Sequence, residues 1–324
     1  MVPWGILSTA RINAKFLAGV ADSEVTRVTA VASRDLARAR AFAAEHGIER
    51  AYGSYEDLLA DPELEAVYIS LPNSLHLEWT ERALRAGKHV LCEKPLSRRS
   101  EAVARAFDVA DSQSRLLMEA FMYRHHPQIQ RATELVSSGE IGTLRLIRGA
   151  FGFALSGGPN VRLDSALDGG ALMDVGCYCV NAARLLAGEP VLVTAQQVVQ
   201  DGGVDLVFTG TMRFPDDVLA LFDAGIVVAE RDELEILGDR GSLFLDDPWH
   251  CLKPVIELRR PGAVERIELP PLNPYRLEAD NFSDAIRGRA EPLLGRRDAV
   301  GQASAIQALY DAAEQGNAVV GEHG

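Results

Sequence analysis

The chain has no cysteine framework, no run of five like charges and no apolar stretch of membrane length. Its four cysteines, Cys92, Cys177, Cys179 and Cys251, are too few to staple 324 residues, and none sit at C-x-x-C spacing. A reducing cytoplasm is the compartment that fits. The longest uncharged stretch runs from Gly149 to Val161, thirteen residues with four glycines and a proline. A membrane helix needs about 20 mostly apolar residues, so the chain reads as soluble and without a membrane partner. Near the start, the apolar residues precede the first positive charges, Arg11 and Lys15, the reverse of the order in a secretory signal. Positive charge is short as well. The 33 basic against 46 acidic side chains leave a net charge of −13, which repels a phosphate backbone and argues against a nucleic-acid partner. No internal repeat, low-complexity tract or Pro/Ser-rich linker is present.

What is there is ordinary globular composition, 47% apolar and 24% charged, in a chain long enough for about two domains. Through the first 120 residues short β-branched runs alternate with Ala/Leu/Glu/Arg-rich stretches, the pattern of βαβ units on a parallel sheet. Strands are expected near Pro3–Leu7, Arg27–Ala32, Ala66–Ser70, His89–Cys92 and Leu116–Phe121. Helices are expected near Ala10–Ala18, Arg34–His46, Tyr55–Ala60, Ser74–Ala86 and Ser100–Ser112, with Gly47 and Gly87 as C-terminal glycines. After about Tyr123 long alternating runs follow one another, such as Leu144–Phe153, Pro190–Val199, Val204–Phe214, Val218–Val227 and Glu233–Leu237. That is antiparallel sheet, interrupted by helical stretches at Gly170–Leu186, Arg276–Arg287 and Arg297–Glu314. The expected division is a dinucleotide-binding domain over residues 1–122 and a substrate domain over 123–324, packed together with the site at their junction.

The first strand–turn–helix places Ser8, Ala10 and Asn13 where a dinucleotide-binding turn usually has three glycines. Small residues there let backbone amides approach a pyrophosphate. About twenty residues on, the second strand ends in Ser33-Arg34. An acidic residue would suit the ribose hydroxyl of NAD, whereas Arg34 with a neighbouring hydroxyl suits the 2′-phosphate of NADP. Lys94 follows a strand and precedes a proline, at the edge where doubly wound sheets bind ligands. In the helix near Gly170, Asp174, Tyr178 and Asn181 fall at i, i+4 and i+7 on one face. A tyrosine beside a lysine can take the proton that a substrate hydroxyl loses as its carbon loses hydride. His125 and His126 are adjacent, so on a helix they diverge and make no metal pair, and Cys177-x-Cys179 reads as core filling. No metal is expected.

Three segments carry a resemblance: Cys92-Glu93-Lys94-Pro95-Leu96, Glu119 through Pro127, and Gly169-Gly170-Ala171-Leu172-Met173-Asp174-Val175-Gly176-Cys177-Tyr178. In this order and spacing the chain resembles the Gfo/Idh/MocA oxidoreductases, within them the NADP-dependent dihydrodiol dehydrogenase and D-xylose 1-dehydrogenase branch. Tyr178, where many members carry His, matches that branch and counts against inositol dehydrogenases. The resemblance implies an α/β N-terminal Rossmann domain with a doubly wound parallel sheet, followed by an α+β C-terminal domain with a large, mainly antiparallel open sheet. It implies catalysis by Tyr178 as acid/base, with Lys94 lowering its pKa and Asp174 orienting substrate or Lys94. NADP(H) would be held by Ser8, Thr9, Ala10, Arg11 and Ile12 in the turn, and by Ser33 and Arg34 after the second strand. Leu71, Asn73, His76, Glu93 and Lys94 would complete that site. Arg124, His125, Arg162, Asp164 and Asn181 are candidate substrate contacts. Pro95 would follow a cis bond, which sequence alone does not show.

The leading expectation is an NADP(H)-dependent oxidoreductase moving a hydride to or from a CH–OH group of a sugar or cyclic diol. A ketosugar reductase, with or without a nucleotide-linked substrate, is the alternative within the enzyme class. A non-catalytic NADP-binding regulator is the alternative outside it, and it would need none of Lys94, Asp174 and Tyr178. The resemblance also implies a homodimer or homotetramer formed through the C-terminal sheet.

Overall fold

In the computed structural model of the protein, the alternating first third forms a parallel sheet covered on both faces. The structure describes residues 1–158 and 160–315; Pro159 of the polar loop ahead of Asp164, and residues 316–324, lie outside the described residues. Strands β1 (Val2–Leu7), β2 (Thr26–Ala32), β3 (Arg50–Tyr52), β4 (Ala66–Ile69), β5 (His89–Glu93) and β6 (Leu117–Ala120) stand in the order β3-β2-β1-β4-β5-β6. All neighbours are parallel. Successive side chains leave opposite faces. Thus Trp4, Ile6, Tyr68 and Leu91 enter one core while Leu7, Val67, Ile69 and Val90 enter another. Helices α1 (Ile12–Val20), α2 (Leu36–His46), α3 (Tyr55–Leu59), α4 (His76–Arg85) and α5 (Ser100–Ser112) make the crossovers. The strand order reverses between β1 and β4, which opens a crevice at their carboxyl ends. Edge strand β3 escaped the sequence reading because three half-buried residues show no alternation.

The second part begins with α6 (Pro127–Ser137), also unexpected, which His126 caps by accepting a hydrogen bond from Gln128 N. Then come β7 (Leu144–Ala154), α7 (Cys177–Ala187), β8 (Leu192–Val199), β9 (Asp205–Arg213), β10 (Leu219–Gly225) and β11 (Val227–Gly238). Strands β12 (Ser242–Leu245), β13 (Val255–Arg260) and β14 (Ala263–Glu268) extend the sheet beyond the runs read from the sequence. The eight strands stand in the order β14-β13-β12-β11-β7-β10-β9-β8. Pairing is antiparallel except between β7 and β10, which run parallel, so the sheet is mixed and mainly antiparallel. One face buries Ile147, Phe208, Met212, Phe222 and Ile236 in the same core as Val180 and Ala183 of α7. The other face leaves Arg148, Thr209, Thr211, Leu219 and Leu221 exposed.

The last helices, α8 (Pro274–Ile286) and α9 (Arg296–Glu314), return to the parallel sheet's side of the molecule. Trp4 Nε1 donates to Ser283 Oγ at 3.1 Å, and Thr26 Oγ1 stands 2.7 Å from the same oxygen. These contacts cross the expected 122/123 division. The Lys94–Pro95 peptide bond is cis, and the four cysteines are buried and free. Among the described residues no helix is long and apolar enough to cross a membrane.

Candidate active site

At the end of β1, Ser8 adopts φ 121°, a conformation that favours glycine. A closed polar network holds it there. Ser8 Oγ donates to the Ser70 carbonyl at 3.0 Å and accepts from Ala10 N at 3.1 Å. Asn13, fully buried at the third glycine position, donates from Nδ2 to the Ser8 carbonyl at 2.9 Å and accepts from Ser70 Oγ at 2.6 Å. Side-chain hydrogen bonds here replace the close packing that glycines permit.

The turn opens onto a cavity of about 760 Å³ between the two sheets. Thr9, Ala10, Arg11 and Ile12 line it, followed by Leu71, Asn73, His76, Glu93 and Lys94, nine of the residues named from the sequence for the cofactor. Ser8 and Ser33 are buried and Arg34 is exposed, and none of the three is part of the cavity lining. Asp35, the one acid at the end of β2, is engaged in capping α2, accepting from Ala37 N at 2.8 Å and Arg38 N at 3.3 Å. Lys15 and Arg38 also line the cavity, and the sequence reading missed them. Lys15 lies four residues beyond Arg11, a helical spacing that would have found it, and Arg38 lies in the first turn of α2 beyond the N-cap Asp35. Exposed amides at a helix start, small residues and a basic flank fit an NAD(P) pyrophosphate and ribose.

His76 is buried with Nδ1 2.9 Å from the Pro95 carbonyl and Nε2 2.8 Å from the Leu71 carbonyl. It ties the segment after β5 to the segment after β4, and burial lowers its pKa despite both acceptors. Asn73 Nδ2 donates to the Asp168 carbonyl at 2.8 Å, joining the crevice to the loop ahead of α7.

The Gly169-Gly170 pair starts the segment that carries Asp174 and Tyr178 for a steric reason. Gly170 has φ 120°, and a Cβ there would run into the Asp205 carboxylate. That carboxylate accepts from Leu172 N at 2.7 Å and from the Tyr310 hydroxyl at 2.9 Å, anchoring the next turn. Leu172–Gly176 is a π-helical turn, with regular α-helix resuming at Cys177; the expected single helix is therefore two segments. Such turns recur at functional sites. Here it carries Asp174.

Lys94 Nζ donates to the Asp174 carbonyl at 2.5 Å, lies 3.7 Å from the Asp174 carboxylate and stands 4.9 Å from the Tyr178 ring centroid. Burial opposes its charge, but Cys177, Asp174 and Glu93 outweigh that and raise its pKa. Arg162 Nε donates to the other Asp174 oxygen at 2.5 Å. Tyr178 is 7% exposed, on the cavity wall, packed edge-to-face against Phe121 and Phe151. Burial pushes its hydroxyl well up, with Tyr275, Glu93, Cys177 and Asp174 adding to the effect. This direction is opposite to the lowered pKa expected from the sequence, because the ammonium covers the ring and the hydroxyl is desolvated.

Of the five candidate substrate contacts, only Arg162 lines the cavity. Asn181 is fully buried one turn deeper, held by the Tyr123 hydroxyl at 2.7 Å and Arg124 Nη1 at 3.0 Å. Arg124 is thereby committed to the interior and also reaches Asp298 at 3.5 Å. His125 is buried, its pKa lowered to about 3 by burial and by Arg124. Asp164 caps a short turn, accepting from Ala166 N at 2.9 Å. Phe151, Asp232, Trp249 and His250 take their places on the wall, brought there by sheet pairing and a loop that no local pattern marks.

A doubly wound sheet whose first turn meets a lysine–tyrosine pair across one cavity defines an NAD(P)-dependent oxidoreductase. Residues 3–121 match the family model "Oxidoreductase family, NAD-binding Rossmann fold", and residues 129–244 match "GFO/IDH/MocA C-terminal domain". The chain belongs to the Gfo/Idh/MocA family. It is 39% identical to D-xylose 1-dehydrogenase (NADP(+)) 2 of Haloferax volcanii, with 98% of each chain covered. It is 35% identical to trans-1,2-dihydrobenzene-1,2-diol dehydrogenase of Xenopus laevis over 87% of this chain and 84% of that one. Its fold is similar to that of KijD10, a 3-ketoreductase from Actinomadura kijaniata solved with NADP and TDP-benzene. There the TM-score is 0.89 at 31% identity, covering 96% of this chain and 97% of that one.

Proposed function

We propose that the protein is an NADP(H)-dependent dehydrogenase of a neutral cyclic polyol such as an aldopyranose. The observation that carries this reading is the convergence of Lys94, Asp174 and Tyr178 on the cavity into which the dinucleotide turn opens. The nicotinamide, when bound, supplies or accepts the hydride. Tyr178 exchanges the hydroxyl proton, and because burial keeps its phenol protonated the site rests in the state from which carbonyl reduction starts. Lys94 places a cation against the ring and toward the substrate oxygen, and Asp174 holds Lys94 and Arg162 in register. Arg11, Lys15, Arg34 and Arg38 supply the positive surroundings that a 2′-phosphate calls for, which supports NADP over NAD.

Two features support a neutral substrate. A carboxylate would call for a free bidentate arginine, yet Arg162 is paired with Asp174. Glu230 and Asp232 also line the wall and would repel a phosphoryl group. The names of the xylose and dihydrodiol relatives agree with this choice. The 3-ketoreductase KijD10 favours the second reading, reduction of a nucleotide-linked ketosugar. A regulator without catalysis would have no use for the Lys94–Asp174–Tyr178 group. A panel of aldoses, cyclic trans-diols, 2-hydroxy acids, aliphatic alcohols and nucleotide-linked ketosugars, assayed with NADP or NADPH, tests the assignment. Highest kcat/KM on hydroxy acids or aliphatic alcohols would overturn it, and activity only on nucleotide-linked ketosugars would establish the second reading.

The open face of the second sheet, with Leu219 and Leu221 exposed, is the surface we assign to a second copy. Light scattering of the wild type and of Leu219→Lys/Leu221→Lys tests this: a dimer or tetramer should fall to a smaller species. A monomeric wild type would overturn it.

A further inference from the structure

On the cavity wall away from the dinucleotide turn, Asp232 and His250 form a pair that the mechanism above leaves unused. Asp232 stands opposite Phe151 in the β7–β11 register, next to an irregularity between Val227 and Arg231 that interrupts the pairing. Such bulges re-aim side chains beside sites. Asp232 Oδ1 accepts from Trp249 N at 3.1 Å, and Oδ2 lies 2.5 Å from His250 Nδ1. Asp247 braces the loop, accepting from Leu252 N at 2.5 Å and Lys253 N at 2.7 Å. Trp249 Nε1 donates to the Ala150 carbonyl at 2.9 Å, so the loop is fastened to β7 as well.

The imidazole is thereby held in one orientation. His250 and Tyr178 both pack edge-on against Phe151, with centroid distances of 5.4 Å and 5.3 Å. The His250 side chain is 34% exposed and lines the cavity, and its Nε2 makes no hydrogen bond among the described residues. A carboxylate at Nδ1 places the neutral ring's proton there and leaves Nε2 as an acceptor. Asp232, Asp247 and His250 also bring ligand atoms within 4.8 Å of one another, as a cation site would. Backbone amides already occupy both carboxylates, which favours an organised loop over a metal.

We propose that His250 is a substrate-binding residue that accepts a hydrogen bond at Nε2 from a polyol hydroxyl other than the one oxidised. Asp232 is its positioning residue, and Phe151 is the spacer between this contact and Tyr178. The inference rests on the polyol reading above, and it names the group that distinguishes one polyol from another. A buried polar group left unpaired by a substrate lacking its partner discriminates strongly against that substrate.

The test compares wild type, His250→Ala and Asp232→Asn on the best polyol and on each of its monodeoxy analogues, with NADP saturating. His250→Ala should raise KM for the parent polyol about tenfold or more, with kcat changed far less and the Kd for NADP unchanged. On one monodeoxy analogue, wild type and variant should have equal kcat/KM, and Asp232→Asn should show the same pattern more weakly. Equal kcat/KM on the parent polyol, or the same loss on every analogue, would overturn the proposal. Should His250→Ala fail to fold, His250→Phe keeps a ring against Phe151 without an acceptor and carries the same comparison. Loss of wild-type activity on EDTA treatment, restored by zinc, would overturn it in favour of a metal. A wild type that oxidises no polyol sinks the functional reading and this inference with it; a polyol dehydrogenase indifferent to His250 sinks this inference alone.

Discussion

The Lys94 ammonium faces the ring of Tyr178, 4.9 Å from its centroid, while its hydrogen bond goes to the Asp174 carbonyl. A cation against the electron-rich face stabilises a phenolate more than a phenol, so in the proposed mechanism Lys94 would act on proton transfer through the ring. Under that proposal Tyr178 carries the proton and Lys94 sets how readily it leaves.

Tyr178→Phe should lower kcat by about 10² or more while the Kd for NADP is unchanged, the usual scale of a lost general acid/base. Stopped-flow turnover beside a fluorescence titration of NADPH checks this. Near-normal turnover would move the proton transfer to Lys94 itself.

Burial holds the Tyr178 proton, so oxidation, which needs the phenol to give it up, should accelerate as pH rises. Carbonyl reduction needs the proton in place and should lack that dependence. In Lys94→Met the phenolate loses its cation, and the oxidative limb should move to higher pH with kcat lowered. Profiles of kcat/KM in both directions read this out; an unmoved limb would remove Lys94 from the proton transfer.

Arg34→Asp should weaken NADP by at least tenfold, since each charge-assisted hydrogen bond lost costs about 1.5–3 kcal/mol. NAD affinity should hold or improve. Calorimetric titration of both cofactors decides, and equal NADP binding by variant and wild type would reject the assignment to NADP through Arg34.

Glu119 lies buried against the cis-proline segment, one oxygen accepting from Leu96 N at 2.7 Å and the other unpartnered. Burial raises its pKa from 4.5 to about 8, so the folded protein keeps a proton that the unfolded chain has released. Because the native state binds more protons in this window, Glu119 makes stability fall as pH rises from about 4.5 to about 8, by at most about 1.4 kcal/mol per unit. Glu119→Gln should therefore gain on the wild type across that window. Denaturant midpoints at pH 5, 7 and 8.5 measure it, and a constant difference between the two proteins would exclude the effect.

The βαβ pattern was legible along the chain in local composition and period, and the Glu93-Lys94-Pro95 corner and the Gly170–Tyr178 segment through the family resemblance they carry. Strands buried on both faces must be apolar throughout, and a dinucleotide turn must be small, even where Ser8 and Asn13 replace glycine. α6 carries Pro127 in its first turn and Ile129, Ala132 and Leu135 at helical spacing, a signal the reading passed over, whereas the three-residue β3 gave none. The parallel pairing of β7 with β10, which depends on partners distant in sequence, gave none either.

Tertiary packing alone decided which side chains reach the cavity. Arg124 and Asn181, expected at the substrate, turn inward because Tyr123, Asp298 and Gln302 offer buried hydrogen-bond partners, and His125 is buried with its Nε2 unpartnered among the described residues. Asp232 and His250 lie far along the chain and reach the wall through strand register and a loop fastened to β7. Period reports which face an element buries; what that face meets depends on contacts that no local window contains.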